Sequence, residues 1–162
     1  MLKKILLILI LMISVTAAWQ CSKSTNSNCN NVPVANEDAA MQQYMTANSI
    51  TGVKDASGLY YQIINQGTGA GPTVNSKIAV KYKGVLTDGT VFDQLNTVDP
   101  DPGNWWGLSS LIAGWQIGIP KIGKGGQIKL IVPSSLGYGC KALPSIPANS
   151  ILVFDVELVD FY

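Results

Sequence analysis

From Ile151 to Phe161 the chain reads ILVFDVELVDF, and Leu152, Phe154, Val156 and Leu158 fall on every second position. A strand gathers such residues on one face, whereas a helix would scatter them around its axis. The same alternation runs through Ile78, Val80 and Tyr82 in KIAVKYKGVLTDGTVFD, where Asp88-Gly89 marks a turn between two strands. With LYYQIINQGTG and QIKLIVP these segments predict five strands, in sheets with one covered face. Between them LIAGWQIGIPKIG, from Leu111 to Gly123, breaks the alternation, and its apolar residues fit one short helix ended near Pro120 and Gly123. A curved antiparallel sheet wrapped around a single short helix is an α+β roll.

Upstream, NEDAAMQQYMTANSITG places Asn36 to cap a helix, Glu37 and Asp38 in its first turn, Met41, Tyr44, Met45 and Asn48 at helical spacing, and Gly52 to stop it. A short amphipathic helix is expected, as a packing element or as a surface for dimerisation. The chain opens with Lys3 and Lys4, an apolar run from Ile5 to Val15 and the small residues Thr16, Ala17 and Ala18, the pattern of a bacterial export signal. That run falls short of the ~20 apolar residues a bilayer requires, so a membrane anchor is the weaker alternative. Cys21 and the polar stretch SKSTNSNCNN after it resemble the lipidated cysteine and tether of a bacterial lipoprotein, whereas Trp19 and Gln20 are atypical there and leave cleavage after Ala18 as the competing reading. The expected organisation is a signal peptide over 1–20, a tether over 21–35, a short helix with its connector over 36–54 and a folded domain over 55–162. The expected location is the bacterial cell envelope, lipid-anchored at the outer membrane and facing the periplasm.

Length and hydrophobic content, 162 residues and 47%, suit one globular domain. The sequence contains no His, and all 11 of its basic residues are Lys, against 10 Asp and Glu. Ser-His-Asp and Cys-His nucleophiles and imidazole metal sites are therefore excluded, and no phosphate-binding glycine motif is present. Without Arg, and near neutrality, the chain carries no electrostatic footprint for nucleic acid. No cofactor and no metal are expected. In an oxidising compartment, and with Cys21 lipidated, Cys29 and Cys140 remain as a pair able to form a disulfide, the alternative being two free thiols.

VKYKGVLTDGTVFD, LIAGWQIGIPKIGKGGQIKLIVPSSLGYG and IPANSILVFDVELV resemble, in order and spacing, the successive signatures of the FKBP family of peptidyl-prolyl cis/trans isomerases, over roughly Gly58 to Phe161. The leader, Cys21 and tether resemble that family's exported lipoprotein branch. The resemblance implies a concave apolar pocket walled by Tyr82, Phe92, Leu111, Ile112, Tyr138, Ile146 and Phe154, with the Trp115 indole as floor and Asp93 at the edge. It also implies that the Ile112 backbone N–H and the Tyr138 phenol meet substrate carbonyls. Catalytic positions are thus expected at Tyr82, Phe92, Asp93, Ile112, Trp115, Tyr138 and Phe154, with Leu111, Ile146 and Trp106 binding substrate. Trp106 equally matches an aromatic of the next strand, and Trp105 has no assigned place. The implied ligands are proline-containing polypeptides and the family's macrolide inhibitors, and a monomer is expected. A non-catalytic module or holdase using the same pocket is the alternative.

Overall fold

The computed structural model describes residues 29–162. Helix α1 spans Val34–Ala47, followed by strands β1 (Val53–Lys54), β2 (Tyr60–Asn65), β3 (Lys77–Leu86), β4 (Val91–Leu95) and β5 (Trp106–Gly107), helix α2 (Ala113–Gly118), and strands β6 (Gly126–Val132) and β7 (Leu152–Phe161). Single 3₁₀ turns lie at 102–104, 108–110, 119–121 and 134–136. The strands form one antiparallel sheet in the order β1-β2-β6-β7-β3-β4, with β5 paired to the start of β3. The expected α+β architecture is the observed one.

Alternation sorts the two faces of this sheet. Ile78, Val80, Ile128, Leu130, Val132, Leu152, Phe154, Val156 and Leu158 project to one side and pack with Trp115, Ile119 and Ile122. Ile131 and Val153 point the other way and pack with Tyr60 and with Met41 and Met45 of α1. The sheet is thus covered on both faces where α1 lies, and not on one as its periodicity suggests. That explains why LIV in β6 and LVF in β7 run as unbroken apolar triplets, the pattern of a strand buried on both sides.

Helix α1 begins earlier than expected. Pro33 (φ −60°, ψ 138°) is its N-cap, Asn36 lies within the first turn, and the Asn36 amide donates to the Pro33 carbonyl at 2.9 Å. A proline preceding the helix is held extended and its carbonyl opens the first turn without a side-chain cap. The helix also stops before Gly52. The Asn48 amide and side-chain Nδ2 both donate to the Tyr44 carbonyl, at 3.1 and 2.8 Å, and Ser49 takes a left-handed conformation (φ 55°). Asn48 is therefore an exposed end-cap rather than a member of the apolar face.

Helix α2, AGWQIG, has poor intrinsic propensity and is held by packing. A Cβ on Gly114 would come within 2.5 Å of Val132 Cγ1, and one on Gly118 within 2.5 Å of Leu130 Cδ2. These two bare positions, one turn apart, let the helix axis sink onto β6. Trp115, between them in sequence, is 4% exposed.

Cys29 and Cys140 are joined, with Cα atoms 5.2 Å apart across 111 residues of sequence. Cys21 and the leader lie outside the described residues.

Candidate functional site

Strands β3, β4 and β7, the β5 segment and α2 enclose a cavity of about 540 Å³. Its lining includes Tyr82, Phe92, Asp93, Trp105, Trp106, Leu111, Ile112, Trp115, Tyr138 and Phe154. Two further hollows have volumes of about 510 and 530 Å³; the second runs over the charged outer side of the sheet, past Lys81, Lys83, Asp155 and Glu157. The first cavity stands apart by its convergent rings.

Strict alternation would forbid two consecutive residues of β4 from facing one cavity. The ladder explains the exception. Gly84 pairs with Asp93 and Val85 with Val91, so Phe92 is an extra residue opposite the step between them. This β-bulge twists the strand and turns both Phe92 and Asp93 inward. Gly84 makes the room, since a Cβ there would lie 2.6 Å from Phe92 Cζ and 3.0 Å from Phe154 Cε1.

The rings form a T-stacked cluster. Trp115 meets Tyr82 at 5.1 Å and Phe154 at 5.3 Å between centroids, both with interplanar angles of 83°, and Phe92 meets Phe154 at 5.5 Å and 87°. Edge-to-face contacts of this kind add about 0.5–1.5 kcal/mol each beyond area burial, and they fix ring orientation. The Trp115 Nε1–H, buried at the floor, has no partner among the described groups.

One polar contact crosses the cavity edge. The Tyr82 hydroxyl donates to Asp93 Oδ2 at 2.5 Å. Burial first, and then the hydrogen bond and charge of Asp93, push the Tyr82 phenol well above the usual tyrosine range. The Tyr138 phenol is also raised, chiefly by burial and secondarily by the Asp93 charge. Both phenols stay protonated donors at physiological pH. Among the described residues no group of three or more His, Cys, Asp or Glu side chains comes together to hold a metal ion.

Of the ten residues expected at the pocket, nine line the cavity. Ile146 does not: it is 6% exposed and packs into the core cluster beside Trp115 and Phe154. The Leu143–Ile146 bridge closes a tight turn in the loop after Tyr138 and folds the Ile146 side chain inward. The two tryptophans left open by the sequence are both wall residues. Trp106 pairs with Ile78 in β5 and meets the Tyr82 ring edge-on at 6.0 Å. Trp105 Nε1 donates to the Asp99 carbonyl at 2.9 Å and its ring packs against Tyr162. Asp99 and Asp101 of the DPDP segment bond to Asn104 and to nearby backbone amides, so that segment organises the turn that presents both indoles.

A family model for FKBP-type peptidyl-prolyl cis-trans isomerases matches residues 69–159, which contain the whole cavity. The chain belongs to the FKBP family. It is 46% identical over 110 residues to the FKBP-type isomerase FkpA of Escherichia coli strain K12, covering 67% of this chain and 40% of the relative. It thus spans about two fifths of that relative's length. The crystal structure of FkpA from Escherichia coli superposes with a TM-score of 0.66 at 38% identity, over 79% of this chain and 60% of that one. A peptidyl-prolyl isomerase structure from Pseudomonas syringae pv. tomato superposes with a TM-score of 0.65 at 28% identity, over 82% of this chain and 98% of that one. The FKBP sheet and helix are therefore the frame of the site, and α1 lies before the span matched by the family model.

Proposed function

We propose that this protein is an exported peptidyl-prolyl cis/trans isomerase that assists the folding of envelope proteins by binding X–Pro segments in the aromatic cavity. The observation that carries the reading is the convergence of Tyr82, Phe92, Trp106, Trp115, Tyr138 and Phe154 on one cavity with a single carboxylate at its edge. Rotation about an X–Pro bond crosses a barrier of ~18–20 kcal/mol because the twisted amide loses C–N resonance. No covalent bond breaks and no proton moves. In water the planar amide, with its partly negative oxygen, is the better solvated form, so a dry aromatic site favours the twisted one in relative terms. In this mechanism Trp115 is the floor beneath the prolyl ring, and Phe92 and Phe154 are its walls. The Ile112 amide and the Tyr138 phenol receive substrate carbonyls, and Leu111 and Trp106 contact the flanking residues. Asp93 is a positioning group that holds the Tyr82 hydroxyl and through it the ring wall. The same cavity suits the family's macrolide inhibitors.

The test is NMR exchange spectroscopy on an Ala-Leu-Pro-Phe peptide with the purified protein. Catalysis appears as cis/trans exchange cross-peaks far above the uncatalysed rate of one event in tens to hundreds of seconds. Peptide binding without faster exchange would make the protein a holdase instead. Since the reaction transfers no proton and both phenols titrate above their ordinary range, kcat/KM is expected to be flat from about pH 6 to 9. Asp93→Asn, which keeps shape and an acceptor, should lower it less than about tenfold, of the order of one hydrogen bond. A bell-shaped profile abolished by Asp93→Asn would assign the carboxylate a proton-transfer role.

Anchoring follows from the leader and Cys21, through which a lipid would attach the chain to the outer membrane on its periplasmic side. The Cys21→Ala protein is expected in the soluble envelope fraction or unprocessed, and the wild type in the membrane fraction. A soluble wild type with its N-terminus at Trp19 would refute lipidation.

A further inference from the structure

Tyr138 sits in a loop whose two ends are both tied to the N-terminal segment, a part of the chain that precedes the family-matched span. The first tie is a buried carboxylate. Glu37 in the first turn of α1 is only 6% exposed, and its Oε2 accepts the Ser134 amide at 2.9 Å across 97 residues of sequence. Ser134 is fully buried, and its carbonyl in turn accepts the amides of Gly137 at 3.0 Å and Gly139 at 2.8 Å, the two neighbours of Tyr138. One residue therefore receives the helix through its N–H and brackets the tyrosine through its carbonyl.

The second tie lies just after Tyr138. Asn31 Oδ1 accepts the Cys140 amide at 3.0 Å, next to the Cys29–Cys140 link. Gly139 has φ +58°, and a Cβ there would stand 2.3 Å from Asn31 Oδ1. The loop is thus shaped to receive Asn31. A carboxylate buried solely to steady a helix would be a costly choice, since leaving a charge out of water is unfavourable unless it is well bonded. Its placement on the residue whose carbonyl brackets Tyr138 gives it a use in the cavity.

From this geometry we infer that Glu37 and Asn31 are positioning residues for peptide binding: together they clamp the Tyr138 loop from outside the FKBP core and hold the phenol at the cavity rim. The inference rests on the proposed role of Tyr138 as a substrate contact. Fixing the loop in advance lowers the ordering cost of each binding event, so the clamp acts mainly through affinity.

The experiment uses the whole chain. Asn31→Ala, at an exposed position where folding is not at stake, and Glu37→Ala should each weaken binding of the Ala-Leu-Pro-Phe peptide, followed by tryptophan fluorescence, by about fivefold, the scale of one lost hydrogen bond. Isomerase KM should rise correspondingly with little change in kcat. Asn31→Asp and Glu37→Gln retain an acceptor and should restore most of the affinity. In a Tyr138→Phe background the same alanine substitutions should cost less than about twofold, since contacts that act through one group are not additive. Amide hydrogen exchange at Gly139 and Cys140 should quicken in Asn31→Ala while that of β6 and β7 does not. Equal losses in both backgrounds, or unchanged exchange and affinity in Asn31→Ala, would overturn the clamp. A wild type that binds peptide without isomerising it, yet loses affinity as described, would refute the enzyme reading alone and support the clamp.

Discussion

Replacing Trp115 with alanine is expected to lower kcat/KM by at least about a hundredfold, the largest loss of any single substitution in the cavity. An isomerase that speeds rotation a thousand-fold or more must lower the barrier by ~4 kcal/mol or more. One or two hydrogen bonds worth ~1 kcal/mol net each cannot supply that, so ring placement has to carry the greater part. Trp115 is the buried floor of the cluster, touching both Tyr82 and Phe154 edge-to-face. Removing it opens the floor to water, which solvates the planar amide and restores the barrier. The same change should destabilise the fold by ~3–5 kcal/mol, the usual cost of truncating a core aromatic. Trp115→Phe keeps an apolar floor and should retain a tenth or more of the activity, on the order of magnitude expected when burial is mostly preserved. NMR exchange rates with urea unfolding on the same samples separate the two effects. If Trp115→Ala stayed folded and within about threefold of wild type while Asp93→Asn lost more, shape would not be the catalyst.

The ring set was legible in the sequence because each member sits in a short local signature, as Phe92 and Asp93 do in TVFD and Trp115 does in AGWQ. Strand positions were legible for the same reason, since alternation is a local property. What escaped depends on contacts between distant segments. The bulge that turns Phe92 and Asp93 to one side is visible only in the register of β3 against β4. Ile146 carries the same apolar chemistry as Leu111, and only the turn closed with Leu143 decides that it faces the core. Glu37 looks in sequence like an ordinary acid at a helix start, stabilised by the helix dipole. Its bond to Ser134 required knowing that α1 covers the sheet beside the end of β6. The triplets LIV and LVF did signal that second covered face, a cue that strict alternation in the rest of β7 conceals.

Loss of the Cys29–Cys140 link, by reduction or by Cys29→Ser, is expected to lower the unfolding free energy by about 2–4 kcal/mol. The link spans 111 residues of sequence, so its removal frees a long loop in the unfolded state. Much of the effect should therefore lie in the unfolded ensemble. The denaturant slope should rise on reduction as that ensemble expands, and the unfolding midpoint should fall. The native fold should survive, because Cys29 precedes α1 and contributes nothing to either core cluster, while Asn31 and Glu37 keep their bonds to Cys140 and Ser134. Reduced protein at room temperature should then remain folded and keep most of its peptide affinity, with the loss showing in thermal and urea midpoints. Intact mass under non-reducing conditions tests the premise, and paired urea titrations with and without reductant test the magnitude. Two alkylatable thiols in freshly purified material, or superimposable titrations, would show that the pair plays no part in stability. A reduced protein that lost all peptide affinity while still folded would instead make the link, and not the Asn31 and Glu37 hydrogen bonds, the element that holds the Tyr138 loop.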